Sequence, residues 1–252
     1  MVTFAPRVEI NMANLAMGRQ KDRKKFVATI SRGPKAKIVV AGDLHTIVVR
    51  EDGSVWTTGR NHYGQLGDGS TSDRKVFVKV MFDNAEFVAA GSYHSLVVKV
   101  DGSTWSTGGN DYGQLGDGSN SDRTVYVQVV ASGAKAVAAG SRHSLIVKHD
   151  GSVWATGCNL SGQLGDGSTS SSDVFVEVIG TDVKAVAAAG CHRMVLKEDG
   201  SIWITGSNQC GQLGDGSTMY EKTFVRPTLH DNGVSRGHLF MNVNRSTKSN
   251  HT

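Results

Sequence analysis

The sequence predicts an all-β protein, a β-propeller of four-stranded antiparallel blades. Three observations lead there. The stretch Gly64-Gln65-Leu66-Gly67-Asp68-Gly69-Ser70 recurs word for word at 113–119, 162–168 and 211–217, each copy 49 residues after the last. Each full period holds four short apolar runs of strand length, and two of these are always joined by an acidic residue and a glycine. A period of roughly 40–50 residues with four antiparallel strands per unit marks a propeller blade. Units of this kind stack on one continuous core, so a single array is expected in place of independent domains.

Composition agrees with many tight turns and little else. The 252 residues include 31 Gly and only 3 Pro, and glycine is the residue that tight β-turns demand. No run of roughly 18 apolar residues exists to span a membrane as a helix. The first 25 residues lack the apolar core of a secretory signal, so a cytoplasmic or nuclear location is expected. Cys158, Cys191 and Cys210 have no metal-ligand spacing and read as reduced thiols. The formal charge of +4 is unevenly spread. Residues 1–40 hold nine basic and two acidic side chains, and residues 221–252 hold five and two, which leaves the repeat body near −6. Basic ends attract nucleic acid or chromatin only weakly at this density and read as solvated tails.

Taken in order, residues 1–23 form a basic lead-in, with a short helix at 11–17 and the cluster Lys21-Asp22-Arg23-Lys24-Lys25 leading into the first strand. Blades are expected at about 24–73, 74–122, 123–171 and 172–220. In each, Val76-Phe77-Val78-Lys79-Val80 or its echoes at 125–129 and 174–178 comes first, with alternating faces. The Ala-rich run at 86–90, 135–139 and 184–188 follows, suited to a crowded inner position. The third strand begins at His45, His94, His143 or His192, and the fourth carries Trp56, Trp105, Trp154 or Trp203. Asp52-Gly53, Asp101-Gly102, Asp150-Gly151 and Asp199-Gly200 join the last two as type I′ hairpins. The run at 222–226 repeats the first-strand pattern as an orphan, and a polar tail, 227–252, closes the sequence.

Residues that recur at 49 read as architecture. Within the repeated loop the glycines allow positive φ, Asn61, Asn110, Asn159 and Asn208 suit Asx-turns or left-handed positions, and Gln65, Gln114, Gln163 and Gln212 satisfy buried backbone groups. The loop lacks the Gly-Lys-Ser/Thr and following helix of a phosphate cradle. Its Asp-x-Ser-x-Ser oxygens lose their pattern in later copies and have no bidentate Glu, so calcium is not expected. The four histidines and four tryptophans occupy identical slots, whereas a catalytic constellation needs different residues converging on one point. No catalytic residue, metal or cofactor is expected, and the chain reads as a non-enzyme.

Positions that do not repeat are the candidates for binding. Before each histidine stand Leu44, Tyr93, Arg142 and Cys191. Before each Gly-Gln-Leu-Gly stand His62-Tyr63, Asp111-Tyr112, Leu160-Ser161 and Gln209-Cys210. Free of the packing rule, these loop positions are where a partner surface is written. Leu44, Tyr63, Tyr93, Tyr112, Arg142, Leu160 and Cys191 are the partner-binding candidates, and Tyr and Arg are the types that dominate interface energetics.

The unit Gly-x-x-His…Asp-Gly-x-x-Trp-x-x-Gly-x-Asn-x-x-Gly-Gln-Leu-Gly-Asp-Gly closely resembles the repeat of the regulator of chromosome condensation family, over residues 24–226. The resemblance implies a propeller, seven-bladed in the best-known members, that serves as a platform for protein partners. It also implies an alternative: a guanine nucleotide exchange factor, or a fragment of one, for a Ran-type small GTPase. Exchange-factor relatives insert a hairpin into one blade, and the uniform 49-residue spacing here leaves no room for it. Ala189 stands where Gly42, Gly91 and Gly140 occupy the other repeats. Four blades in place of seven imply exposed end faces, so self-association is expected.

Overall fold

The computed structural model describes residues 35–80 and 83–229. Among them are sixteen strands in four separate four-stranded antiparallel sheets, and no helix. The first blade is β1 (Ala36–Ala41), β2 (His45–Arg50), β3 (Val55–Gly59) and β4 (Arg74–Val80). The second is β5 (Ala85–Ala90), β6 (His94–Lys99), β7 (Thr104–Gly108) and β8 (Arg123–Val130). The third is β9 (Ala134–Ala139), β10 (His143–Lys148), β11 (Val153–Gly157) and β12 (Ser172–Ile179). The fourth is β13 (Val183–Ala189), β14 (His192–Lys197), β15 (Ile202–Gly206) and β16 (Glu221–Val225). Each sheet is ordered as the chain runs, and the row of blades stays open.

The Ala-rich strands are the innermost, where β1, β5, β9 and β13 approach one another. Small side chains let four backbones converge there. Between blades the core is continuous. Ile47 and Val49 of β2 face Ala85, Val88 and Val97 of the second blade. Val98 meets Ala134 and Ile146, and Leu145 and Val147 meet Val183 and Val195. Most of these side chains are completely buried, each worth roughly 1.5–3 kcal/mol of transfer free energy.

Three expectations need correction. The alternating Val-Phe-Val strand is the outermost strand of the preceding blade, not the first of its own, so the blades run 36–80, 85–130, 134–179 and 183–225. The apparent orphan at 222–226 is β16, which completes the fourth sheet. The physical reason is the long glycine loop, which curls back so that the Trp strand and the Val-Phe-Val strand pair, Thr57 opposite Val78 and Ala155 opposite Val176. Next, the Asp-Gly hairpins are not type I′. Only the glycine takes positive φ (Gly53 76°, Gly102 76°). Gly53 N donates to Arg50 O at 2.9 Å and Arg50 N to Ser54 O at 3.0 Å, a three-residue loop ending on a left-handed residue. Asp52 is free to accept from Ser54 N and Ser54 Oγ instead. Finally, the repeated asparagines are not left-handed; the non-glycine residues with positive φ among those described are Asn84 and Asp182. The lead-in at 1–23 and all but the first residues of the tail at 227–252 lie outside the described residues.

The asparagines act through their side chains. Asn110 is fully buried. Its Nδ2 donates to Asp117 Oδ1 (3.1 Å), Ser119 O (2.8 Å) and Ser121 O (3.1 Å), while Oδ1 accepts from Leu115 N (3.0 Å). One amide therefore ties both ends of the glycine loop together. Asn110→Ala is expected to cost on the order of 3 kcal/mol, because a buried backbone donor and acceptor lose their partner. A shift of the urea midpoint at unchanged slope measures it.

Candidate protein-interaction face

The non-repeating residues come together because two loops from each blade share one end of the sheet. The turn before each His strand is bonded to the residue after each Trp strand. Arg60 N donates to Leu44 O, Gly109 N to Tyr93 O, Cys158 N to Arg142 O (2.8 Å each) and Ser207 N to Cys191 O (2.9 Å). The glycine loops begin at the same level. Each repeated glutamine fixes the residue two before it: Gln65 Oε1 accepts from Tyr63 N, Gln114 from Tyr112 N, Gln163 from Ser161 N and Gln212 from Cys210 N, all at 2.9–3.0 Å. Repeated amides, three of them buried, thus hold the backbone of variable, part-buried or exposed residues.

Across the first three blades this produces a ladder. The rings of Tyr63 and Tyr93 meet edge-to-face, centroids 5.3 Å apart at 76°. The Arg142 guanidinium lies over Tyr93 at 5.4 Å and over Tyr112 at 4.9 Å, and Nη1 donates to the Tyr112 hydroxyl at 3.3 Å. Such aromatic and cation–π contacts are worth roughly 0.5–1.5 kcal/mol each and hold the side chains in fixed poses. Gly109 makes room: a Cβ there would stand 3.2 Å from that of Tyr93 and 3.5 Å from that of Tyr63. Leu44 and Leu160 are 57% and 64% exposed on the flanks. Cys191 is exposed and outside the ladder contacts. Burial and the neighbouring Cys158 thiol push its pKa up, against the pull of Arg142. Beside Tyr112 an open groove is lined by Asp111, Asn120, Ser171 and Asp173.

The repeated histidines lie beneath this face. His45 Nε2 is 2.9 Å from Ser95 Oγ, and His94 Nε2 is 2.9 Å from Ser144 Oγ. Each serine in turn donates to a loop carbonyl, Gln65 O at 2.7 Å and Gln114 O at 2.6 Å. The serine proton is committed, so the histidine is the donor at Nε2. Burial lowers the pKa of His45 to about 4 and of His94 and His143 to about 3. Among the described residues, no group of three His, Cys, Asp or Glu is arranged to hold a metal. The tryptophans pack at blade faces. Each donates Nε1 to the serine two residues earlier, and a cation caps each ring, Arg50 over Trp56 at 4.0 Å and Lys148 over Trp154 at 3.7 Å. In the same way Lys99 covers Trp105, and both Lys197 and Arg226 cover Trp203.

One residue escaped sequence reasoning. Where Ser95 and Ser144 follow their histidines, the fourth blade has Arg193, completely buried, with none of its three guanidinium nitrogens hydrogen-bonded. His143 consequently has no acceptor at Nε2. The signal was the column Ser95, Ser144, Arg193, which breaks the 49-residue rule at a buried position.

An all-β array of stacked four-stranded blades, with a cation–aromatic face written in its variable loops, defines a propeller-type repeat protein. Models of the regulator of chromosome condensation (RCC1) repeat match residues 36–65, 86–114 and 134–163, and 52–98 and 101–147, together just over half of the sequence. The chain belongs to this repeat family. The X-linked retinitis pigmentosa GTPase regulator of Homo sapiens is 35% identical over 77 residues, which is 30% of this chain and 8% of that protein. Its Canis lupus familiaris counterpart is 34% identical over 73 residues, 29% of this chain and 7% of that protein. Human WBSCR16 superposes with a TM-score of 0.71 at 22% identity, covering 78% of this chain and 54% of that one. Prp20p of Saccharomyces cerevisiae, described with binding properties to Gsp1p and histones, superposes at 0.71 and 20% identity, covering 81% and 52%. The chain thus spans a small part of the curated relatives and about half of these structures.

Proposed function

We propose that the chain is a non-enzymatic protein-interaction module, and that its partner is a protein bound by the Tyr63–Tyr93–Arg142–Tyr112 ladder. The ladder is the observation that carries this reading. It is a part-buried cluster of the residue types that make interface hot spots, held by its own contacts before any partner arrives, so little side-chain entropy is lost on binding. Leu44 and Leu160 would add apolar area at its edges, and the acidic groove at Asp111 and Asp173 favours a partner that places a basic side chain beside Tyr112. The four blades at 36–225 act as one unit in this reading, with 1–23 and 227–252 as flanking tails.

The double variant Tyr93→Ala/Arg142→Ala is expected to lose roughly tenfold or more in partner retention, the loss typical of truncating two hot-spot anchors. Quantifying the proteins retained by immobilised wild type and variant measures this. A partner set that ignores the substitution would remove the ladder from the account.

A second reading, nucleotide exchange on a small GTPase, is favoured by the similarity to Prp20p, described as binding Gsp1p. The β3–β4, β7–β8, β11–β12 and β15–β16 loops have near-equal lengths, which gives no blade an inserted wedge among the described residues. Acceleration of nucleotide release from a panel of small GTPases would establish this reading over plain binding.

A further inference from the structure

The junctions between the described blades are copies of one another, and the first and last of these blades each retain one half of that junction. At every internal junction the glycine loop of one blade receives an aromatic ring from the outer strand of the next. A Cβ on Gly67 would stand 2.3 Å from the ring of Tyr126, on Gly116 2.4 Å from Phe175, and on Gly165 2.7 Å from Phe224. A backbone bond accompanies each ring: Gly69 N to Thr124 O, Gly118 N to Asp173 O and Gly167 N to Lys222 O, at 2.9–3.0 Å. A threonine hydroxyl completes the contact, with Thr107 Oγ1 3.0 Å from Gly64 O, Thr156 Oγ1 2.8 Å from Gly113 O and Thr205 Oγ1 3.0 Å from Gly162 O.

The first blade carries the ring half, which no glycine loop among the described residues receives. Phe77, at the Tyr126 position, is 40% exposed. Thr58 bonds to Arg74 O alone and is part-exposed, whereas Thr107, Thr156 and Thr205 are fully buried. The fourth blade carries the loop half. A Cβ at Gly211 would meet nothing nearer than Ser217 O at 3.9 Å; at Gly214 no aromatic ring is seated, and the chain's own Pro227 stands at 3.6 Å while Thr228 N donates to Gly214 O at 2.7 Å. Met194 and Leu196 occupy the positions of Leu145 and Val147, which are completely buried under the following blade, yet both are part-exposed.

We propose that the two ends of the blade row bind each other between copies of this chain, head to tail. The loop at 211–216 of one copy receives Phe77 of the next in place of its own Pro227 and Thr228, and Met194 is covered by the first blade. The occupant follows from repetition. The surface that fits a blade's forward face is the rear face of another blade of this repeat, and among the described blades the first offers one such face unpaired. Isologous pairing of two first blades would set Phe77 against Phe77 with no glycine loop to receive it. A heterologous contact grows until the rotation closes a ring, or continues as a filament.

Sedimentation velocity over a hundredfold concentration range tests this with three chains. Wild type is expected to move from monomer to dimer and larger species. Phe77→Asp, which spoils the ring half, and Met194→Glu, which spoils the loop half, are each expected to stay monomeric. An equimolar mixture of the two is expected to form a 1:1 dimer that does not grow, because one intact half of each kind remains. Tryptophan fluorescence and thermal melting check that both variants fold, and Phe77→Ser and Leu196→Glu replace either one that does not. A wild type that stays monomeric, as it would if Pro227 and Thr228 kept their place on the loop, overturns the proposal. So does a mixture that remains monomeric while wild type associates.

Discussion

Lowering the pH from 7 to 5 is expected to destabilise the blades by roughly 6 kcal/mol, before most carboxylates begin to titrate. The cause is the buried histidine column. His45, His94 and His143 are 3% exposed or less, and burial depresses their pKa values to about 4, 3 and 3. An unfolded histidine titrates near 6.5. Between pH 6.5 and 4 the unfolded chain therefore binds protons that the folded chain refuses, and stability falls as pH falls. Each histidine contributes about 1.4 kcal/mol per pH unit in that window, or about 2 kcal/mol at pH 5. The contribution is fully present above 6.5 and is exhausted below the folded values. Urea unfolding at pH 7.0, 6.0 and 5.0 reads it directly. A midpoint that does not move would mean the histidines are solvated or already charged in the fold.

Arg193→Ser is expected to stabilise the protein, by about 2 kcal/mol. A buried, unpaired charge is among the costliest features a core can hold. Burial pulls even this guanidinium down to about 9, with Asp166 opposing. Serine at 193 restores what the two preceding junctions already show: an acceptor for His143 Nε2 and a donor to Gln163 O. The gain is partly offset by the volume lost beside Gly165 and Phe224, which Arg193 now contacts. The reverse change, Ser144→Arg, places the same charge between the second and third blades and is expected to destabilise by at least as much. Loss of stability in Arg193→Ser would show that the guanidinium has a partner worth more than the serine network.

The legible and illegible parts of the sequence divide along one physical line. Local chemistry was readable. The 49-residue period fixed four strands per unit, alanines marked the inner strand, and Asp-Gly marked the hairpin. The phase of the repeat was not readable, because a tandem array has no origin until hydrogen bonds say which strands pair. The Val-Phe-Val strand is separated from the following inner strand only by residues 81–84 and from the preceding Trp strand by residues 60–73, so proximity in sequence favours the wrong partner and only the curled Asn61-type loop reverses it. Turn type failed for a subtler reason. Ser54 offers Asp52 two bonds that a left-handed aspartate would lose. The candidate face was half legible. Tyr63, Tyr93, Tyr112 and Arg142 stood out by not repeating, but that Arg142 lies between Tyr93 and Tyr112 depends on loops from neighbouring blades meeting at one level. Arg193 was missed because a buried strand position was assumed to follow the repeat.

The proposed function separates two sets of residues: repeated ones build the blades, and the non-repeating ladder binds the partner. Paired measurement of melting temperature and partner retention for Tyr93→Ala/Arg142→Ala and for Asn110→Ala tests it most directly. The ladder variant is expected to lose retention at temperatures where it is fully folded, its melting temperature falling by several degrees because part-buried contacts worth about 0.5–1.5 kcal/mol each are removed. Asn110→Ala is expected to melt markedly lower yet retain partners normally at temperatures where it is folded. Equal retention by the ladder variant and wild type, or loss of retention by folded Asn110→Ala alone, would contradict it.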